Sequence, residues 1–182
     1  MGKTSISRSL ASKLDAVYIS LAELVEREKL IGGVDKARGT LIADMDRVSI
    51  RMKEIIEGSE RDAIVDGHYA VDVVQPKDVH LVFVLRRDPI ELKKVMETRG
   101  FSERKLWENL AAEILDICLW DAVSACGSER VCEIDVSGKR IEEVLKDVLL
   151  VLKEKKKCRV GIVDWLGKLE GEGRLQEFLK HF

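Results

Sequence analysis

The first residues of the chain that could do chemistry are Gly2, Lys3 and Thr4, which match the end of the phosphate-binding pattern G-x-x-x-x-G-K-S/T. In that pattern the lysine ammonium reaches the β- and γ-phosphates and the threonine hydroxyl ligates Mg²⁺. Apolar residues recur at helical spacing over 4–14, so a helix would aim its free N–H groups at the same anion. The alternative is an ordinary helix start with Lys3 as a surface charge.

A second candidate group lies in the stretch IVDGH, where Asp66 and His68 follow a short apolar run. Open α/β sheets bind ligands at the carboxyl ends of their strands, which is where both residues are predicted to lie. The Asp66 carboxylate could hold Mg²⁺ directly or through water, or it could be a turn or cap residue. The His68 imidazole could orient a water or a phosphate oxygen, or it could be an exposed loop histidine.

The stretch ETRGFSERK is the third candidate. Its glycine interrupts a helical pattern, and Arg99, Arg104 and Lys105 give it positive charge. Such a segment can fold over a triphosphate and exclude water from the transferring phosphoryl group. The alternative is a solvated helix corner whose charges face water.

The elements that must position these residues alternate between strand and helix, which predicts a parallel, doubly wound α/β sheet. Strands are predicted in AVYIS, DAIVDGH, VHLVFVL and RVCEIDVS, with CRVGIVDWL as another candidate. The stretch LIGGVDKARGT has three glycines and is predicted to be a mobile connection. Helices are predicted over 4–14, 21–29, 89–99 and 141–152, from Asp44 or Asp46 to Gly58, from the ETRGFSERK corner to about 125, and in the last residues.

Composition narrows the function classes. The 31 Lys and Arg residues nearly balance the 33 Asp and Glu residues, so a nucleic-acid partner would have to meet a local basic patch. The four cysteines show no C-x-x-C spacing, and we expect reduced thiols in a cytoplasmic protein. No apolar run approaches a membrane span of about 18 residues, and no membrane partner is expected.

Six stretches in this order, GKTSISRSLASKL, YISLAELVEREKLIGG, DMDRV, IVDGH, VFVLRRD and ETRGFSERKLWENLAAEI, closely resemble the archaeal "putative adenylate kinases". The eukaryotic counterpart of these proteins is the nuclear adenylate kinase isoenzyme 6, which also acts in maturation of the small ribosomal subunit. The likeness runs from Gly2 to about Leu152, and RVGIVDW resembles the archaeal ending. The order and spacing of the stretches are more specific than any one of them.

The resemblance implies a P-loop NTPase-like fold and a broad-specificity nucleoside monophosphate kinase of the ATP plus AMP to 2 ADP type. It also implies ATPase activity, a role in late small-subunit and 16S rRNA maturation, and transient contact with ribosomal protein uS11 and the small-subunit precursor. ATP and Mg²⁺ are the expected cofactors. By position the resemblance assigns ATP binding to Gly2, Lys3, Thr4, Ser5, Arg99 and Lys139, metal binding to Thr4 and Asp66, and catalysis to Lys3, Asp66, His68 and Arg99.

The resemblance further implies a kinase domain over 1–154 and a C-terminal extension over 155–182. Within the domain, 20–43 matches the monophosphate-binding segment and 98–108 matches the lid. Members of the family begin with a strand and the full loop G-x-P-G-x-G-K-T, whereas Met1 stands before the final loop glycine here. We therefore expect the true reading frame to start upstream, and ATP affinity to be poor without the rest of the amide cradle.

Two other functions remain open from the sequence. One is a ribosome-assembly factor driven by ATP hydrolysis, with incidental kinase activity and with the basic run Lys155 to Lys157 as a contact for RNA or an acidic protein segment. The other is a kinase of a small hydroxylated molecule.

Overall fold

The computed structural model describes residues 2–35 and 40–181. The chain divides into two compact units, an N-terminal unit over Gly2–His80 and a C-terminal unit that includes Leu81–Phe182. The strands are β1 Val17–Ser20, β2 Ile31–Asp35, β3 Thr40–Ala43, β4 Ala63–Asp66, β5 Val82–Arg86 and β6 Val131–Asp135. The helices are α1 Lys3–Leu14, α2 Leu21–Arg27, α3 Met45–Glu57, α4 Ala70–Val73, α5 Pro89–Thr98, α6 Glu103–Ile114, α7 Ile117–Cys126, α8 Ile141–Leu152, α9 Trp165–Gly171 and α10 Leu175–Leu179.

The N-terminal unit is built on the parallel pair β1 and β4, in which Ser20 is the register partner of Asp66. Helices α2 and α3 connect the two strands, as a parallel crossover requires. Asp44 begins α3 by accepting a hydrogen bond from the Arg47 N–H at 3.1 Å, so the helix starts at the first of the two predicted aspartates. Val48 and Met52 of α3 are fully buried in the core of this unit.

The stretch LIGGVDKARGT contains β2 and the first residue of β3, so its prediction as a mobile connection is wrong over 31–35 and at Thr40. Strands β2 and β3 form an antiparallel hairpin, with Val34 opposite Leu41 and a register shift between Ile31 and Gly33. Glycine is uncommon inside strands and often marks such a bulge, which is why the two glycines of β2 suggested a loop. The part of the prediction that falls on 36–39 lies outside the described residues.

The C-terminal unit is built on the parallel pair β5 and β6, in which Arg86 is the register partner of Asp135. The predicted α/β class is confirmed, since both parallel pairs are joined through helices.

The prediction of one long helix up to residue 125 is wrong about its continuity. It is two helices, α6 and α7, because Asp116 between them adopts the left-handed conformation with φ 57°.

The buried guanidinium of Arg86 stabilises the break between α6 and α7. Arg86, 2% exposed, donates to Glu113 Oε1 at 2.8 Å, to the Glu113 carbonyl at 2.8 Å, to Glu133 at 2.5 Å and to the Asp116 carboxylate. Burial alone would lower the pKa of Arg86, but its ion pairs with Glu113 and Asp116 raise the pKa overall. Trp165 Nε1 also donates to Glu113, at 2.8 Å. The network therefore ties β5, β6, α6 and α9 together.

The candidate strand CRVGIVDWL is not a strand. The Arg159 carbonyl accepts from the Glu133 N–H of β6 at 2.9 Å, but the Ile162 N–H donates to the Glu133 side chain at 2.8 Å instead of to a backbone carbonyl. Gly161, at φ 69°, breaks the extended backbone between these two contacts. The ladder therefore stops after one backbone bond, and α9 begins at Trp165.

The last two helices pack on the α5 and α6 pair. Trp165 and Leu169 of α9 and Phe178 of α10 belong to the same hydrophobic cluster as Leu92 and Leu110. The predicted boundary between 154 and 155 stays a prediction. None of the described helices is long and apolar enough to cross a membrane.

The expectation of four reduced cysteines is wrong for two of them. Cys132 of β6 and Cys158 form a disulfide, with Cα atoms 4.7 Å apart and a sequence separation of 26. The thiols of Cys126, which is buried, and Cys118, which is exposed, are not part of this disulfide. The pairing has no short-range spacing signal because the hydrogen bond between Glu133 and Arg159, not the local sequence, places the two cysteines side by side.

We predict that Arg86→Met lowers the free energy of unfolding by about 3–5 kcal/mol, because it leaves the buried Glu113 and Glu133 carboxylates without their cation. Urea unfolding measures the effect. The control is Arg61→Met, which removes the exposed pair with Asp15 and should cost less than about 1 kcal/mol. Equal stability of the two variants would contradict a structural role for the Arg86 network.

Candidate functional site

The amino end of α1 has free hydrogen-bond donors. Gly2 precedes the helix in the left-handed conformation, with φ 80°, and its carbonyl accepts from the Ile6 N–H at 2.9 Å. None of the described side chains caps this end, and the first turn carries no acidic residue. The N–H groups of the first turn and the positive end of the helix dipole are therefore available to an anion.

Asp66 ends β4 beside this helix end. The Asp66 carboxylate is 5% exposed, and its Oδ2 accepts from Thr4 Oγ1 at 2.8 Å and from the Tyr18 hydroxyl at 3.2 Å. The Lys3 ammonium lies 3.6 Å from Asp66 Oδ1 and its side chain is 30% exposed. Lys3, Thr4 and Asp66 were singled out from sequence, and the structure brings all three together.

Tyr18 is the member of this group that the sequence did not reveal. The register pairs Tyr18 with Ile64 and Ser20 with Asp66. Side chains two residues apart on a strand share a face, so Tyr18 lies on the face of the sheet that carries Asp66. The strand register, once known, is the signal that would have found it.

Close packing beside Gly67 holds the end of β4. A Cβ added to Gly67 would lie 2.5 Å from Leu21 Cδ1 and 3.0 Å from Leu21 Cβ. Leu21 is fully buried and has no room to retreat. The residue after Asp66 must therefore be glycine for α2 to approach the strand end at this distance.

The remaining predicted site residues are Ser5, His68, Arg99 and Lys139. Ser5 is exposed on α1, and His68, two residues beyond Asp66, is exposed as well. Arg99 is exposed at the end of α5 in the C-terminal unit, where Gly100 has φ 70°. The Lys139 ammonium lies 3.0 Å from the Asp147 carboxylate. The roles of these four residues stay predictions.

The Asp66 carboxylate has one oxygen to spare. Its Oδ1 is buried and accepts no hydrogen bond from the described residues. A buried carboxylate oxygen beside a threonine hydroxyl is the hard oxygen donor set that Mg²⁺ prefers, and Mg²⁺ usually keeps several of its waters. Residues 2–35 and 40–181 contain no group of three or more His, Cys, Asp or Glu that could enclose a metal by themselves. The donor set therefore fits a metal that also binds phosphate oxygens and water.

Comparison with known proteins identifies the class of protein to which this fold and site belong. The family described as "AAA domain" matches residues 1–116, which include α1, β4 and their contacts. This match covers more than half of the chain and agrees with the parallel strands flanked by helices. The fold is therefore that of a P-loop kinase-like α/β protein.

The more specific similarity is to archaeal proteins named "Putative adenylate kinase". The protein from Thermococcus onnurineus (strain NA1) is 38% identical over 165 residues, which cover 90% of this chain and 85% of that protein. The one from Methanosarcina barkeri (strain Fusaro / DSM 804) is 36% identical over 177 residues, covering 91% and 92%. The one from Methanocaldococcus jannaschii is 33% identical over 168 residues, covering 92% and 89%. The chain belongs to this family, which confirms the resemblance read from its motifs.

We predict that Gly67→Ala lowers the free energy of unfolding by about 1–3 kcal/mol, because the new methyl group overlaps the buried Leu21 side chain. Urea unfolding of the purified variant measures this loss. Gly33→Ala is the matched control, since its added Cβ would lie 3.8 Å from Ile42 Cδ1, an ordinary contact distance. If both variants unfold at the wild-type urea concentration, the strand end does not need the close approach that the structure shows.

Proposed function

We infer that the protein is a nucleoside monophosphate kinase that transfers the γ-phosphoryl group of ATP to a monophosphate, with AMP as the preferred acceptor. One observation carries the proposal. The Lys3 ammonium and the Thr4 hydroxyl, at the amino end of a helix, face the buried Asp66 carboxylate at the carboxyl end of a parallel strand. The names of the archaeal relatives support the same activity.

The chain's own residues have separate roles in this proposal. The N–H groups of Thr4 and Ser5 and the Gly2 backbone approach the phosphates, and the partly exposed Lys3 ammonium balances their charge. Phosphoryl transfer needs positioning and charge neutralisation more than covalent chemistry by the protein. The site therefore acts by holding the polyphosphate chain in one geometry.

Thr4 and Asp66 are the residues that would hold Mg²⁺. The spare Asp66 Oδ1 and the Thr4 hydroxyl are oxygen donors of the required kind. Mg²⁺ held by these two residues would neutralise the charge that develops on the phosphate oxygens. Tyr18 keeps the Asp66 carboxylate in place from the opposite strand through its hydrogen bond to Oδ2.

The acceptor monophosphate is proposed to bind the segment 20–43. The hairpin of β2 and β3 lies in this segment, and Val34, Leu41 and Ile42 are each more than half exposed. Apolar side chains in this position offer a surface on which a nucleobase can pack.

The segment 98–108 is proposed as the lid, in which Arg99 closes on the transferring phosphoryl group. His68 is proposed to orient a phosphate oxygen or a water. Lys139 is proposed as a further ATP contact.

A second proposed role is assistance to late maturation of the small ribosomal subunit and 16S rRNA through ATP hydrolysis, in contact with uS11 and the precursor particle. The observation that favours a macromolecular partner is the exposed run Lys155 to Lys157 after α8. Exposed lysines in a row attract phosphate-rich or acidic partners. In this alternative the nucleotide cycle changes the conformation of the protein and phosphoryl transfer to a monophosphate is incidental.

We predict that Lys3→Ala reduces both phosphoryl transfer and ATP hydrolysis at least about 100-fold, because the charge that balances the phosphates is lost. Coupled assays of ADP and phosphate release measure the two rates. Lys13→Ala is the control, because Lys13 is an exposed lysine in the last turn of the same helix. Wild-type rates for Lys3→Ala would remove the basis of the proposal.

The same assay separates the two roles when it is run with ATP alone and with ATP plus each monophosphate. The kinase proposal expects diphosphate formation that depends on the monophosphate, fastest with AMP. Hydrolysis of ATP at the same rate with and without monophosphate, and no diphosphate formed from the monophosphate, would favour the assembly factor instead.

A further inference from the structure

The C-terminal unit contains a cavity to which the proposed kinase activity assigns one lining residue, Lys139. It has a volume of about 490 Å³ and lies between β6, α8 and the segment that follows α8. Pockets of about 300–1,000 Å³ are the usual size for small-molecule ligands. Its lining residues all belong to the unit after residue 80, whereas Lys3, Thr4 and Asp66 belong to the unit before it.

The wall of this cavity is held in place by bonds from β6. The disulfide joins Cys132 to Cys158, and the Glu133 N–H donates to the Arg159 carbonyl at 2.9 Å. The Ile162 N–H donates to Glu133 Oε2 at 2.8 Å, so the segment is attached on both sides of Arg159. The cavity is therefore formed before any ligand arrives, which reduces the ordering cost of binding.

Cations dominate the lining. Lys139, Lys156, Lys157 and Arg159 line the cavity, together with the carboxylates Asp135, Asp147 and Glu133. The Glu133 carboxylate is committed to the buried Arg86. Four cations therefore face two carboxylates, and the balance of the cavity is positive. Lys157 and Arg159 form no ion pair with the described part of the chain.

Two of the ammonium groups converge on a single carboxylate. The Lys139 ammonium lies 3.0 Å from Asp147 Oδ2, and the Lys156 ammonium lies 2.9 Å from Asp147 Oδ1. Burial would raise the pKa of Asp147, but the hydrogen bonds from Lys156 and Lys139 lower it overall. An ionised Asp147 thus holds two cations side by side and competes with any anion that approaches them.

We propose that this cavity is an anion-binding site for a small molecule that carries two or more phosphate groups. Lysine ammonium groups and the arginine fork are the usual protein ligands of phosphate, and several separate cations suit several phosphates better than one carboxylate. The concave shape and the volume favour a compact ligand over the backbone of an extended nucleic acid. The ligand displaces the Asp147 carboxylate from Lys156. Because this ion pair must be broken, Asp147 lowers the affinity of the cavity for the phosphate ligand.

The test is calorimetric titration of the full chain with inorganic tripolyphosphate, without divalent metal, in the Lys3→Ala background so that the proposed ATP site contributes little. The double variant Lys156→Met with Arg159→Met should weaken binding at least about tenfold, because charge-assisted hydrogen bonds are lost. Asp147→Asn should strengthen binding by about threefold or more, because the competing charge is gone. Lys139 is left intact, since it is proposed as an ATP contact.

Lys155→Met is the matched control. It removes the same charge from the same basic run, but Lys155 does not line the cavity, and binding should change less than about twofold. Stronger binding in Asp147→Asn together with weaker binding in the double variant would support the site. A loss of folding could not explain this result, because it would weaken binding in both proteins. Equal weakening by Lys155→Met, unchanged affinity in Asp147→Asn, or no saturable binding would overturn it. Tight binding of a single-stranded RNA without binding of tripolyphosphate would overturn it as well and would assign the basic run to nucleic acid.

Discussion

The arrangement of the N-terminal unit depends on one buried charge, the Asp66 carboxylate. Removing a carboxylate from water is costly unless hydrogen bonds and opposite charges compensate for it. Thr4 and Tyr18 both bond one oxygen of this carboxylate, and the Lys3 ammonium stands near the other. The pairing of β1 with β4, the position of α1 and the close approach of α2 at Gly67 are the structural conditions for that compensation. The compensation is incomplete, because Asp66 Oδ1 still accepts no hydrogen bond from the described residues.

The C-terminal unit solves a similar problem differently. Arg86 ends β5 as Asp66 ends β4, and both side chains are buried. Arg86 makes four hydrogen bonds to Glu113, Glu133 and Asp116, so its charge is satisfied within the unit. A fully bonded network of this kind stabilises one conformation, whereas a buried carboxylate with a spare oxygen is suited to binding. The two strand ends therefore have different roles. Arg86 at the end of β5 stabilises the fold, and Asp66 at the end of β4 faces the proposed ligand.

The sequence predicted most of the regular structure and the centre of the candidate site. Helical periodicity, the Asp44 cap and the apolar strand runs are local signals, and Lys3, Thr4 and Asp66 could be recognised from their places relative to these elements. The hairpin of β2 and β3 was missed for a local reason, because the two glycines of β2 are uncommon inside strands and suggested a loop. The other errors arose where contacts distant in sequence decide the structure. The break between α6 and α7, for example, depends on a guanidinium about 30 residues earlier. Distant contacts also explain why the sequence did not reveal Tyr18 or the disulfide, and why the strand predicted before α9 does not form.

We propose that the spare oxygen of Asp66 serves a metal that accompanies ATP. The most direct measurement is calorimetric titration of ATP into the wild-type protein and into Asp66→Asn, each with and without Mg²⁺. Asparagine keeps the size and the accepting oxygen of the side chain but removes its charge. The account predicts that Mg²⁺ strengthens ATP binding at least about tenfold in the wild type and has little effect in the variant. The same gain from Mg²⁺ in both proteins would contradict it.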